Sequence, residues 1–189
     1  MLDMTMASCL PSPLQLACSG PEVARTCHFR RNEYRKIYPK VQVTEHDPFN
    51  NHAYVLYTSD ADGNISSTGS LVMDSAIGLP EDGLFPAVVD DYRRSGKRLM
   101  EIGRFVIRGN LNLVKHYYKA AHAIAVRQGI DSLLMVIRQK DVLFHQKRLG
   151  AELLAEDVGE DFGSGQPFAC MAWDVSKTTP AFLRWVASL

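Results

Sequence analysis

The chain is expected to fold as a mixed α/β sheet with helices on both faces. Three observations predict this. Short strand-like segments alternate with amphipathic helical ones, a continuous apolar run at 132–137 reads as a buried sheet centre, and glycine or proline marks most junctions.

Leu14 to Ser19 alternates weakly and reads as a short strand, after which Pro21 starts a helix over 22–38 that Pro39 stops. A polar connection over 41–51 leads to a hairpin: strands 53–59 and 67–74 around the turn Asp62-Gly63-Asn64. A loop with Gly78, Pro80 and Gly83 precedes a short helix at 86–94, and the next strand begins after Ser95-Gly96. The helix at 113–128 sets Val114, Tyr117, Tyr118, Ala121, Ile124 and Ala125 on one face and stops at Gly129. Strand 132–137 follows, then a helix capped by Asp141 and closed by Gly150. Strands 151–157 and 167–175 flank a glycine-rich turn at 159–165, and 179–188 is a terminal helix. The order is β-α-ββ-α-β-α-β-α-ββ, with one further helix at the end and no internal repeat.

Composition narrows the function. With 189 residues, 46% hydrophobic content and no formal net charge, the chain suits one domain, expected over 14–189 behind a flexible leader at 1–13. The neutral balance lacks the electrostatic footprint of nucleic-acid binding, and no apolar run approaches the roughly 20 residues of a membrane span. Pro11 and Pro13 interrupt the N-terminal apolar residues, and no Lys or Arg precedes them, unlike a secretory signal. Cys9, Cys18, Cys27 and Cys170 match no metal or redox spacing, so reduced thiols in a cytoplasmic protein are expected. His46 and His52, like His116 and His122, lie six apart, which is not the i,i+4 spacing of a helical zinc site; no metal is expected.

The most informative stretch is Glu101-Ile102-Gly103-Arg104-Phe105, an acid and a guanidinium inside a run of strand formers. On a regular strand Glu101 and Arg104 would face opposite sides. A bulge at Gly103 would turn both to one side, where a charge entering a sheet core must be paired.

This order of elements resembles the GNAT acyltransferase fold from about Leu14 to Val175. Arg30, the Glu45-His46-Asp47 segment and above all the E-x-x-R pair resemble the branch of N-acyl amino acid synthases and acyl-homoserine lactone synthases. The resemblance implies transfer of a medium or long acyl group from a thioester, on acyl carrier protein or coenzyme A, to the amine of an amino acid or similar small molecule. No covalently bound cofactor is implied, only the thioester co-substrate.

On that resemblance Glu101 is the expected base or the group that fixes the amine, Arg104 orients it or the substrate carboxylate, and Arg30, Asp47 and Phe105 contact substrate. The thioester arm is expected at Val106, Ile107, Arg108, Gly109 and Asn110. That stretch lacks the spaced glycines of the common GNAT phosphate signature, which favours acyl carrier protein as partner over coenzyme A. His145 stands where many GNAT enzymes carry a tyrosine that protonates the leaving thiolate, and Lys147 and Arg148 beside it suit a face for an acidic carrier. Two other readings stay open: an acetyl-CoA-dependent GNAT acetyltransferase, and a non-catalytic module that binds acyl thioesters.

Overall fold

A computed structural model describes residues 4–40, 46–156 and 167–189. Of the sequence expectations, Glu45, the start of the 41–51 connection and the turn at 159–165 lie outside the described residues.

Seven strands form one sheet in the order β1-β2-β3-β4-β5-β7-β6. The strands are β1 (Gln15–Leu16), β2 (Ala53–Ser59), β3 (Ile65–Met73), β4 (Leu99–Ile107), β5 (Ser132–Arg138), β6 (Glu152–Ala155) and β7 (Phe168–Asp174). Every neighbouring pair is antiparallel except β4 and β5. The first strand is shorter than its alternation suggested, pairing only Gln15 and Leu16 with β2. The segment read as a leader adds to the core, because Met6 is 1% exposed and packs in the same cluster as Tyr117 and Ile124.

Helix α1 (Gly20–Ile37) begins with a capping box: Ser19 accepts from the Glu22 N–H, and the Glu22 carboxylate accepts from the Ser19 N–H. Helix α1 and helix α2 (Pro86–Arg94) cover one sheet face, over a core that includes Val55, Val72, Val89, Leu99 and Leu134. On the other face lie α3 (Leu113–Gln128), α4 (Val142–Leu149) and α5 (Pro180–Ala187), over a larger core with Leu71, Met100, Ile102, Leu133, Trp173 and Phe182. Asp141 does not cap α4 with its side chain. Its carboxylate accepts from Arg138 Nε at 2.9 Å instead, and its main-chain carbonyl serves His145.

Two irregularities position the site. Strands β4 and β5 pair only from Leu99 to Glu101 against Ser132 to Leu134, so the two strands part beyond Glu101 and Leu134. Facing β3, Ser70 pairs with Gly103 and Thr68 with Val106, so β4 carries one residue more than its partner there.

Candidate active site

The extra residue of β4 is absorbed at Arg104, whose φ of +56° is left-handed. The bulge inverts the alternation beyond it. Met100 and Ile102 face the α3 side, and so do Phe105 and Ile107 after the bulge. Glu101, Arg104 and Arg108 therefore share the α1 side. A sequence with unbroken alternation could not have put the acid and the guanidinium together.

Two glycines make the room this needs. A Cβ on Gly103 would lie 2.9 Å from Glu101 Oε1, and one on Gly69 would lie 2.7 Å from the Phe105 ring. Phe105 rests over Gly69 and meets Tyr117 edge-on, at a centroid distance of 5.2 Å.

On the α1 side the charged groups form one network. Arg104 Nε donates to Asp47 Oδ2 at 2.7 Å and Nη1 to Glu101 Oε1 at 3.4 Å, while Arg30 Nη2 reaches the same Asp47 oxygen at 3.1 Å. Asp47 also holds its own loop, accepting from the Phe49 N–H at 3.1 Å, and the Arg104 guanidinium lies over the Phe49 ring. Glu101 is 7% exposed, and burial pushes its carboxyl up to about 7 against the opposing pull of Arg104. Tyr34, one turn beyond Arg30 on α1, lies within reach of the charges of Arg30, Arg104 and Glu101, and burial raises its hydroxyl to about 12.

A further carboxyl closes the floor. The turn Pro80–Gly83 sends Glu81 inward, 1% exposed, and its N–H donates to Glu101 Oε2 at 3.2 Å. Arg93 of α2 pins this turn by double contacts to Asp82 and to Asp74 at the end of β3, all between 2.6 and 2.8 Å.

The α3 side holds His145, buried at 6% exposure. Its Nδ1 lies 2.7 Å from the Asp141 carbonyl, which can only accept, so Nδ1 carries the proton. Nε2 of the neutral ring then accepts from the Tyr118 hydroxyl at 2.6 Å. Burial lowers the His145 pKa and raises that of Tyr118, which keeps both neutral. Tyr118 in turn packs against Phe105, at 5.9 Å between centroids. The residues expected at the thioester arm lie at the end of β4. There the N–H of Asn112 bonds Asn110 Oδ1, and those of Leu113, Val114 and Lys115 bond carbonyls three residues back. Arg108 lies over the Phe29 ring, on the α1 side. A groove of about 1740 Å³ runs along α1, is lined by Arg108, and reaches the charged network at Asp47, not at Glu101.

The family model of the N-acyl amino acid synthase FeeM matches residues 25–174. The chain belongs to this family of acyltransferases. That match takes in the whole charged network, from Arg30 through Asp47 and Glu81 to Arg104, and both partners of the Tyr118–His145 pair.

Solved structures agree in fold. FeeM itself, an N-acyl amino acid synthase from uncultured soil microbes, superposes with a TM-score of 0.71 at 18% identity, covering 87% of this chain and 90% of that one. TofI, solved with an inhibitor and MTA, gives a TM-score of 0.67 at 19% identity, with 90% and 95% covered. A GNAT-family acetyltransferase from Staphylococcus aureus gives 0.55 at 9% identity, with 86% and 99% covered. The sheet and its flanking helices are thus those of the GNAT acyltransferases. No curated protein sequence matches the chain.

Of the family residues expected from sequence, the structure joins Arg30, Asp47, Glu101 and Arg104 in one network. It places Phe105 and His145 on the opposite face, linked through Tyr118. Glu81 and Tyr34 were missed. Glu81 sits in a Pro-Glu-Asp-Gly turn whose composition reads as solvent-exposed, and Tyr34 reads as one more aromatic on an Arg-rich helix. The signal available for Glu81 was its neighbour Asp82, which could have suggested a pinned turn.

Proposed function

We propose that this acyltransferase moves a medium or long acyl chain from an acyl carrier protein thioester to the α-amine of an amino acid. The observation that carries this is the bulge at Arg104, which sets Glu101, Arg104, Asp47 and Arg30 on one face where β4 and β5 stop pairing.

An amino acid arrives with its amine protonated and not nucleophilic. Glu101, with a carboxyl pushed up to about 7, is matched to take that proton near neutral pH. Once Glu101 is neutral, Arg30 and Arg104 outweigh Asp47 by one positive charge, which suits the substrate carboxylate. The freed amine attacks the thioester carbonyl beside these groups; the C–N bond forms, the C–S bond breaks, and the thiolate leaves with the proton that the attacking nitrogen sheds, while the proton on Glu101 returns to solvent. The Tyr118–His145 pair shares a single proton on the α3 side, the hydroxyl donating to Nε2, and is assigned the role of holding Phe105 in place rather than that of an acid. His145 cannot serve directly, because its one N–H is held by the Asp141 carbonyl.

Acyl carrier protein is favoured as donor because the amides opening α3 are already spent on turn bonds, leaving a poor cradle for the pyrophosphate of coenzyme A. Leu111, Leu143 and Phe144 are exposed, with Lys140 and Lys147 also exposed nearby in sequence, a composition suited to an acidic carrier and its acyl arm. The test is to incubate the purified protein with a long-chain acyl carrier protein, or with acyl-CoA, and pooled amino acids, and to identify products by mass. N-acyl amino acids formed from the carrier thioester are expected. Product from acyl-CoA alone would overturn the donor assignment, and no product from either would overturn the amine assignment.

A further inference from the structure

Glu81 is the group that the acyl-transfer scheme leaves unused, and its surroundings are unusual. It is 1% exposed, neither carboxyl oxygen meets a donor among the described residues, and its own N–H is committed to Glu101. A carboxylate so placed would cost several kcal/mol, and such a group neutralises instead.

We propose that Glu81 works as a protonated acid whose carboxyl donates a hydrogen bond to the Glu101 carboxylate, holding Glu101 ionised and aimed. This rests on reading Glu101 as the proton acceptor and makes Glu81 a positioning residue.

The groups facing the pair decide which carboxyl keeps the proton. Glu101 looks at Arg104 on its own strand, receives the Glu81 N–H, and feels Asp47 from the loop before β2. Tyr34 approaches from α1 and is neutral. Glu81 feels Glu101, Arg104 and its neighbour Asp82, and from β7 it faces Cys170, whose thiol burial raises to about 12 and so keeps neutral. Burial and the Glu101 charge both drive Glu81 well above the ordinary carboxylate range, whereas Arg104 and a main-chain donor favour ionised Glu101. The proton therefore rests on Glu81. The Arg93 clamp on Asp82 keeps the turn in place for this contact.

The test compares the pH profile of kcat/KM for the wild type, Glu81→Leu and Glu81→Gln, alongside the infrared C=O stretch of protonated carboxyls. Leu keeps the buried volume and removes the donor. Losing a hydrogen bond to a charged group raises the Glu101 pKa, so the acid limb should move up by about one pH unit. Gln restores an N–H donor and should bring the limb back toward its wild-type position. At mildly alkaline pH a protonated-carboxyl band should be present in the wild type and in Glu101→Gln and absent in Glu81→Gln. An acid limb unmoved in folded Glu81→Leu, a limb displaced as far in Glu81→Gln as in Glu81→Leu, or a band that survives Glu81→Gln would each overturn the proposal. If Glu81→Leu does not fold, the infrared comparison decides alone. Whether Glu101 is the acceptor at all is read separately, from the loss of the acid limb in Glu101→Gln.

Discussion

Arg30 and Arg104, one from a helix and one from a strand, meet on a single oxygen of Asp47, at 3.1 and 2.7 Å. Arg30 is 3% exposed at its side chain, and the shared carboxylate offsets the repulsion between the two guanidiniums. Asp47→Ala should therefore destabilise the fold by about 3 kcal/mol or more, since it removes the carboxylate that pairs buried Arg30 and leaves Arg104 with Glu101 alone. Urea unfolding checks this, and a change below about 1 kcal/mol would show that the pairing is not structural.

Gly103 and Arg104 make opposite demands. Gly103→Ala puts a methyl against the Glu101 carboxylate and should cut kcat by about 100-fold, as a 1 Å misplacement does, with little change in melting temperature. Arg104→Gly and Arg104→Ala both remove the guanidinium, but only glycine accepts the +56° φ freely. Arg104→Gly should be the more stable of the two by about 1 kcal/mol, read by parallel denaturation.

Arg93 touches no substrate in this account yet holds the turn that carries Glu81. Arg93→Ala should lower kcat several-fold and move the acid limb of kcat/KM in the direction expected for Glu81→Leu. Both follow from steady-state assays across pH. An unchanged limb would mean the turn stays in place without the Asp74 and Asp82 contacts.

Buried His145 has a lowered pKa, so below about 6.5 the unfolded chain takes up a proton that the folded chain refuses. Its share of stability is whole above that pH and is lost as the pH falls. His145→Gln should flatten the acid-side fall in unfolding free energy by up to about 1.4 kcal/mol per pH unit, leaving the parallel share of His122, which stacks on Trp173. Tyr118→Phe, which strips His145 of its donor, should cost about 1–3 kcal/mol and lower kcat.

Much of this was legible from the chain. The element order follows from periodicity and punctuation, and Pro21, Gly129 and Gly150 start or end helices as their types demand. The bulge was legible because an E-x-x-R pair in a strand needs one, although the left-handed residue is Arg104 itself and not the glycine before it. Less legible were the contacts made across the fold. Tyr118 reads as a core aromatic of α3 until His145 is seen to accept its hydroxyl. Asp141 reads as a cap, but Arg138 takes its carboxylate. The Glu81–Glu101 contact joins a loop to a strand, and no local pattern encodes it.

Glu101, set beside Arg104 by the bulge, is the group proposed to take the proton from an incoming amine. Free-thiol release from a long-chain acyl carrier protein, measured with and without amino acids for the wild type and for folded Glu101→Gln, tests it most directly. Amine-dependent release by the wild type and a loss of at least about 100-fold in the variant, the scale of one general base, are expected. Amine-dependent release at the wild-type rate in Glu101→Gln would contradict it.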